Sequence, residues 1–314
     1  MARVLVSPVD TSSGLNVVRG LRAAHDVHVT GLSRTGRHAA RAFCDRLVVV
    51  PDGRERMAHI RDECRAGRVD VVHPGHSTDL LALSELARRE HGVRTRTLLP
   101  PPEVVELCGD KLRLGEALTG HGIGAVATRP LDAAEVDGTG IPVPAFVKPR
   151  YGTGSVGAAV VWDRADLPVL ARGGAAMVVQ PLLRGTEVTV DYLAGHDGDL
   201  VAFMPRARLR VAAGKTVVGR TLPARDFRDL VTAVITALGL RGAGNIQAFT
   251  SPEGPVVTDV NPRFAAGGLM LSAAAGVNLP LLATRLVMSA SVTVPDPRAG
   301  VEMYRYETEV FHYP

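Results

Sequence analysis

Cysteine is scarce in this sequence, with three residues in 314 at widely separated positions. Cys44, Cys64 and Cys108 form neither an even set nor a Cys-x-x-Cys pair, which argues against a disulfide framework and against a cysteine-bound zinc site. The sequence also lacks a run of about 18 apolar residues, so no membrane span is expected. Residues 1–8 lack the features of a signal peptide. These absences favour a cytoplasmic protein.

Aromatic residues are also scarce, and the net charge is small. Phe, Trp and Tyr make up 4% of the chain, and 36 Lys and Arg residues face 32 Asp and Glu residues, for a net charge of +4. Because the basic residues are scattered and few aromatics lie among them, a nucleic-acid surface is not expected. The sequence does have an apolar content of 46%, which is enough for a sizeable core in a chain that is long for one ordinary domain.

Strand and helix signals alternate through the first hundred residues. Val- and Leu-rich runs predict strands at residues 4–6, 27–29, 47–50 and 69–72, and residues 55–66 and 78–89 predict helices. This alternation predicts a Rossmann-like parallel sheet with helices on its faces. Ligands contact such a sheet at the carboxyl ends of its strands, here residues 7–14 and 73–79. No Gly-x-Gly-x-x-Gly follows the first strand, so a NAD-dependent dehydrogenase is disfavoured.

The rest of the chain contains predicted strands and helices that do not alternate regularly. Three prolines at residues 100–102 mark a domain boundary, and residues 226–238 carry the most regular helical stripe. Strands are predicted at residues 145–148, 158–162, 177–180, 187–193, 245–249 and 256–260, and helices at residues 103–108, 110–119 and 269–288. The expected fold class is therefore α/β followed by α+β.

A lysine at the end of a predicted strand precedes a glycine-rich loop. Lys148 is followed by Gly152, Gly154 and Gly157. Glycine lets the backbone approach an anion closely and lysine adds positive charge, so the segment could bind phosphate. It is neither a Walker A loop nor a Rossmann turn, and a hairpin turn would also explain it.

Oxygen-bearing side chains lie on two predicted neighbouring strands. Asp259 and Asn261 are two residues apart, so both side chains leave the same face of one strand, and Gln247 lies on the strand before it. A set without Cys or His suits Mg²⁺ held against phosphates rather than zinc. Taken alone, the set would equally fit an exposed polar edge.

Together, and in this order along the chain, these motifs resemble the ATP-grasp superfamily, and within it the carbamoyl-phosphate-synthetase-like branch. The resemblance implies an N-terminal Rossmann-like α/β domain at residues 1–101 and a two-lobed ATP-grasp domain after it. The small lobe, residues 102–180, would carry the glycine-rich loop, and the large lobe, residues 181–314, would carry the metal site. ATP and Mg²⁺, or Mn²⁺, are the implied cofactors.

The resemblance also implies roles for individual residues. Arg263 would face the γ-phosphate and act in catalysis together with Lys148, and Gln247, Asp259 and Asn261 would hold the metal. Asp259 stands where the family more often has Glu. The implied nucleotide-binding residues, with an adenine hinge at 180–183 and a ribose contact at 187, are Lys111, Lys148, Gly152, Thr153, Gly154, Ser155, Gln180, Pro181, Leu182, Leu183 and Glu187.

Candidate substrate contacts lie outside these motifs. Arg206 and Arg208 belong to a basic segment that borders the acceptor site in this fold and could bind a carboxylate or phosphate, with a solvated strand face as the alternative. Asp79 is a further candidate, although it could simply begin a helix. His73 and His76 could pair on a metal, but the segment offers no third ligand.

The implied activity is ATP-dependent ligation of a carboxylate to an amine through an acyl phosphate, with ADP and phosphate released and amino acids as the expected substrates. Two alternatives stay open. One is phosphorylation of bicarbonate or carbamate on the same fold, and the other is a nucleotide-binding regulator without catalysis. The resemblance implies small-molecule partners and allows a homodimer, with neither nucleic acid nor membrane.

Overall fold

A four-stranded parallel sheet forms the first part of the chain. The structure, a computed structural model, describes residues 1–131, 142–152, 154, 156–171 and 176–311. The strands of this sheet are β1 (Ala2–Ser7), β2 (Val27–Ser33), β3 (Arg46–Val49) and β4 (Val71–Pro74), in the order β3-β2-β1-β4, and the helices are α1 (Ser12–Leu21), α2 (Gly53–Arg65), α3 (Ser77–Arg89) and α4 (His91–Arg94). The predicted parallel sheet is confirmed.

Both faces of this sheet are covered, which explains why its strands are apolar runs rather than alternating ones. Leu5 and Val72 pack on one face with Ile60 of α2 and Leu83 of α3. Val4, Val6 and Val29 pack on the other face, against Val17, Val18 and Leu21 of α1. A 3₁₀ helix, Ala39–Phe43, lies between β2 and β3.

Two helices begin side by side at the carboxyl edge of this sheet. Thr11 caps α1 by accepting the Gly14 N–H through Oγ1 at 2.9 Å, and His76 caps α3 by accepting the Thr78 N–H through Nδ1 at 3.3 Å. Thr11 Oγ1 also donates to the Gly75 carbonyl at 2.9 Å. Because β1 and β4 are neighbours, the positive ends of both helix dipoles lie at one edge.

A small antiparallel sheet follows two helices. The helices are α5 (Pro102–Gly109) and α6 (Lys111–Gly120), the strands are β5 (Arg129–Pro130), β6 (Ala145–Pro149), β7 (Ala159–Val161) and β8 (Met177–Pro181), in the order β5-β8-β6-β7, and α7 (Leu167–Ala171) packs beneath them. The predicted strands of this sheet are confirmed. β5 was not predicted, since two residues give no periodic signal.

A six-stranded antiparallel sheet forms most of the remainder. Its strands are β9 (Glu187–Ala194), β10 (Leu200–Ala212), β11 (Lys215–Thr221), β12 (Gly242–Phe249), β13 (Val256–Asn261) and β14 (Glu302–Tyr304), in the order β13-β12-β9-β10-β11-β14, and its helices are α8 (Arg228–Leu238), α9 (Leu269–Ala274) and α10 (Leu279–Val287). Two further 3₁₀ helices are Arg164–Asp166 and Ala224–Phe227. The second of these takes the place of the first turn of the helix predicted at residues 226–238.

The large sheet has helices on both faces, and one of those faces is shared with the first sheet. Val231, Val234 and Ile235 of α8 pack in one core with Val190 and Ile246. On the opposite side, α1 packs in one core with residues of β9, β10, α9 and α10, including Leu193, Met204, Leu269 and Leu282. The two sheets therefore hold α1 between them. None of the described helices is long and apolar enough to cross a membrane.

Asp79 of α3 forms a buried ion pair with Arg56 of α2 and also bonds Ser7 at the end of β1. Its carboxylate accepts from Arg56 Nε at 2.9 Å and Nη2 at 2.8 Å, and from Ser7 Oγ at 2.8 Å, and both charged side chains are at most 5% exposed. Asp79→Ala would leave a buried guanidinium without its partner, so we expect a loss of about 3 kcal/mol in the free energy of unfolding. Urea denaturation measures it.

The control for Asp79→Ala is Asp70→Ala, which removes the ion pair with Arg3. Those side chains are 46% and 29% exposed, so solvent screening should make the loss in the free energy of unfolding much smaller than that of Asp79→Ala. Equal losses in the two variants would contradict the structural role of Asp79.

His73 is buried at the end of β4 and carries no charge in the folded protein. Its Nε2 lies 2.8 Å from Thr284 Oγ1 of α10, and burial lowers its pKa to about 4. Below pH 6.5 the unfolded chain takes up a proton that the folded chain does not, so the free energy of unfolding should fall as the pH drops from about 6.5 to about 4, by about 3 kcal/mol. Comparing His73→Gln with the wild type across this range isolates the effect, and identical pH profiles would contradict it.

Candidate functional site

Two cavities adjoin one another between the sheets. The first, of about 360 Å³, lies between the small and large sheets and is called the apolar cavity, after Val126, Phe146, Val160, Leu183 and Phe249 in its wall. The second, of about 280 Å³, is called the polar cavity and lies between the large sheet and the starts of α1 and α3. The residues that line both cavities are Gly154, Arg208, Gln247 and Asp259. Whatever occupies one cavity therefore borders what occupies the other.

The end of β8 lines the apolar cavity with the residues of the predicted adenine hinge. Gln180, Pro181, Leu182 and Leu183 all face it. The Gln180 side chain is buried and donates from Nε2 to Thr128 Oγ1 at 2.9 Å. Its amide is thus engaged within the protein, as is the Leu182 N–H, which donates to the Pro144 carbonyl at 3.3 Å, and the hinge presents apolar side chains to the cavity.

Two lysines line the same cavity. Lys111 Nζ donates to the Gly152 carbonyl at 2.9 Å, and Lys148 Nζ donates to the Thr258 carbonyl at 3.2 Å. Burial lowers the pKa of Lys148, and the nearby carboxylate of Asp259 partly offsets that shift. A buried ammonium that is bonded to one carbonyl is still able to bind an anion.

Asp110 fixes the base of the glycine-rich loop. It caps α6 and accepts from Arg150 Nε at 2.8 Å and Nη2 at 2.7 Å, and these contacts lower its pKa to about 2. Gly152, Gly154 and Gly157 have φ values of +137°, +75° and +74°, which other residues rarely adopt. Thr153 and Ser155 lie outside the described residues, so their predicted nucleotide contacts stay predictions.

The three predicted metal ligands lie together on β12 and β13. Gln247 is opposite Asp259 in the antiparallel register, and Asn261 Nδ2 donates to Asp259 Oδ2 at 3.2 Å. Asn245, which the sequence did not indicate, lies opposite Asn261 and accepts from its Nδ2 at 3.4 Å. One carboxylate and amide oxygens form a hard donor set, which fits Mg²⁺ if phosphate oxygens complete the coordination.

Arg263 reaches the polar cavity just after β13. Its Nη1 donates to the Phe264 carbonyl at 3.1 Å and to Ser13 Oγ at 3.3 Å, and burial lowers its pKa. Its buried Nε has no hydrogen-bond partner among the described residues. The guanidinium is therefore incompletely paired beside a cavity, as expected of a group that binds an anion.

Arg206 and Arg208 do not lie on the solvated strand face considered from the sequence, whereas Arg210 and Lys215 of the same segment are exposed. Arg206 is 2% exposed and donates to Asp191 from Nε at 2.8 Å and from Nη2 at 3.1 Å, while Ser272 Oγ donates to the same carboxylate at 2.5 Å. Arg208 forms an ion pair with Glu187 and donates to the Gly214 carbonyl at 2.9 Å. Both arginines line the polar cavity, but each already has an acidic partner.

Asp79 is not among the described residues that line either cavity, since Arg56 and Ser7 occupy its carboxylate. The polar cavity is instead bordered by residues 11–13 and His76, from the two loops where contacts were expected. Residues 11–13 gave no individual signal in the sequence, and His76 was considered there only as half of a metal pair with His73.

A family profile described as "ATP-grasp in the biosynthetic pathway with Ter operon" matches residues 174–309. The chain is 27% identical over 189 residues to a D-alanine–D-alanine ligase of Corynebacterium jeikeium, covering 52% of this chain and 50% of that protein. It is 26% identical over 186 residues to the carbamoyl phosphate synthase large chain of Thermomicrobium roseum, covering 53% of this chain and 17% of that protein. The chain thus spans half or less of the length of these relatives.

Solved structures share the fold. An L-amino acid ligase from Bacillus licheniformis superimposes with a TM-score of 0.70 at 17% identity, covering 91% of this chain and 74% of that one. The biotin carboxylase domain of Hydrogenobacter thermophilus 2-oxoglutarate carboxylase, in complex with MgADP and bicarbonate, gives 0.74 at 17% identity, covering 96% and 73%. The profile match thus identifies an ATP-grasp domain within residues 174–309, and the solved structures show that the chain has the same fold as these proteins.

Proposed function

We propose that the protein is an ATP-dependent carboxylate–amine ligase that forms an amide through an acyl phosphate and releases ADP and phosphate. The observation that carries the proposal is that a cavity with an apolar wall and two lysines meets a polar cavity at Asp259, next to Arg263. A nucleotide base fits the apolar cavity, and the phosphates of the nucleotide fit the place where the two cavities meet. The proposed division of the chain remains 1–101, 102–180 and 181–314.

The nucleotide would lie in the apolar cavity with its base against the 180–183 hinge and its ribose at Glu187. Lys111 and Lys148 would bind its phosphates, and the glycine-rich loop would cover them and exclude water. Gln247, Asp259 and Asn261 would hold a Mg²⁺ or Mn²⁺ ion, which supplies charge neutralisation at the phosphates. Ribose binding would compete with Arg208 for Glu187, so this ion pair would loosen as the nucleotide binds.

The acid substrate would lie in the polar cavity with its carboxylate near Arg263. A carboxylate oxygen would attack the γ-phosphorus in line, and the bond to ADP would break. Arg263 would stabilise the charge on the transferred group, and the fixed position of both reactants would lower the entropic cost of the reaction. An amine would then attack the acyl carbon and lose a proton, and phosphate would leave.

The reaction is tested with ATP, Mg²⁺ and pools of small acids and amines, by phosphate release and mass detection of products. Amide formation that requires both partners, with ADP as the nucleotide product, supports the ligase. Turnover with bicarbonate alone would instead support the alternative of bicarbonate phosphorylation. ATP binding without turnover in any pool would support the non-catalytic regulator.

Asp259→Asn should reduce kcat/KM for ATP-dependent turnover by at least about 100-fold, because it removes the one carboxylate of the metal-ligand set while keeping the shape of the side chain. Steady-state kinetics across Mg²⁺ concentrations would measure the loss. Asp229→Asn, on the exposed face of α8, is the matched control and should leave turnover unchanged. Equal activity in both variants would refute the metal assignment.

The affinity for ATP should fall as the pH rises, and this fall should begin at a lower pH than the ordinary lysine pKa of 10.5 would give. The free protein loses the Lys148 proton below the ordinary pKa of 10.5, whereas bound phosphates would hold that proton, so binding weakens above the lowered pKa. Calorimetry with a non-hydrolysable ATP analogue measures the fall. Lys148→Arg should bind more weakly near neutrality but lose this part of the pH dependence, and the same fall in that variant would contradict the assignment.

A further inference from the structure

The polar cavity has basic residues in excess. Four basic side chains line it, and Asp259 is the one acidic side chain among its described lining residues. Arg206 is neutralised by Asp191 and Arg208 by Glu187. Lys215 and Arg263 remain as cations, and Asp259 is the residue proposed to hold the metal. The excess positive charge of the cavity therefore favours the binding of more than one negative group.

The wall contributed by the first sheet strengthens this bias. α1 and α3 both begin there, and the first N–H groups of a helix have no acceptor within that helix, which favours anions at its N-terminus. Ser12 and Ser13 are the first two residues of α1, and both border the cavity. Arg263, whose buried Nε is unpartnered, contacts Ser13 and provides an independent indication of an anion at this wall.

His76 adds a neutral donor and no negative charge. Burial and the charge of Arg263 lower its pKa, and its Nδ1 accepts the Thr78 N–H, so the ring proton resides on Nε2. The wall thus offers the Ser12 hydroxyl, the first N–H groups of α1, an imidazole N–H and cations, while the Ser13 hydroxyl is already bonded to Phe264 and Arg263. An ammonium group placed there would have no acidic partner from the wall, and an unpaired charge next to Arg263 and Lys215 is unfavourable.

We propose that the acid substrate is a dianion, with one carboxylate at Arg263 and a second carboxylate or phosphate at a subsite formed by Ser12, Ser13, His76 and Lys215. This inference rests on the proposed ligase function and narrows its substrate class. It also separates this acid from one that carries an ammonium group in place of the second anion, because the subsite residues include no carboxylate to receive an ammonium group. The amine would be supplied by the second substrate.

The test uses one carbon skeleton with different head groups. Glutarate, 4-phosphonobutyrate, 4-aminobutyrate and butyrate are titrated by calorimetry into the protein with Mg²⁺ and a non-hydrolysable ATP analogue, and the comparison is repeated with shorter and longer chains. We expect a dianion to bind at least about tenfold more tightly than the matched amino acid and the matched monoanion. The phosphonate and dicarboxylate arms identify which head group the subsite prefers.

Ser12→Asp places a carboxylate at the first turn of α1, where it also suits the helix dipole and should not destabilise the fold. It should remove the preference for the dianion and raise the relative affinity of 4-aminobutyrate. Ser12→Asn, of nearly the same shape but neutral, is the control and should keep the wild-type order. Melting temperatures and binding of the ATP analogue should be the same in both variants.

Amino acids that bind as tightly as the dianions would overturn the dianion proposal, and so would a failure of every dianion to bind to protein that binds the ATP analogue. Neither result bears on the proposed function, which depends on amide formation that requires both an acid and an amine. Loss of the ligase assignment would show separately, as turnover with bicarbonate alone or as ATP binding without turnover.

Discussion

A bulge in β13 determines the geometry of the site. Gln247 is opposite Asp259 and Ala248 is opposite Val257, so Thr258 is an extra residue without a partner on β12. Strict alternation would place Val257 and Asp259 on one face. The extra residue instead lets Val257 and Val260, three apart, both enter the core, while Asp259 and Asn261 face the cavities. It also frees the Thr258 carbonyl, which accepts from Lys148.

The charges around this bulge form a site that is incomplete by itself. Asp259 carries one negative charge beside Lys148 and Arg263, and burial lowers the pKa of both cations. Holding such groups in the protein costs stability unless an anion compensates them. A triphosphate with its metal ion and a substrate carboxylate would supply that compensation. Catalysis by prepositioned charge requires this arrangement, because the groups need not reorganise as the reaction proceeds.

Sequence patterns predicted the structure correctly wherever it depends on residues that are close together in the chain. The apolar runs located β1 to β4, and the pair Asp259 and Asn261 could be placed on one face from spacing alone. The environment of Arg206 could not be predicted, because its partner Asp191 lies on the neighbouring strand and is reached diagonally across the register. A basic segment is predicted to be exposed to solvent unless the acidic residue that pairs with it is known. The Arg56–Asp79 pair escaped prediction for the same reason.

The position of the first sheet against the segment after β13 depends on contacts between residues far apart in sequence. Ser13 Oγ donates to the Phe264 carbonyl at 3.0 Å, and Asn16 Nδ2 donates to the Ala266 carbonyl at 2.8 Å, across about 250 positions of the chain. α1 is thereby fixed to the segment that follows Arg263. Since α1 also supplies a wall of the polar cavity, the proposed acid subsite and Arg263 are connected through these hydrogen bonds. If the proposed function is correct, substitutions at the exposed side of that wall would change which acid binds without moving Arg263, in keeping with the general rule that a single fold can carry sites of different specificity.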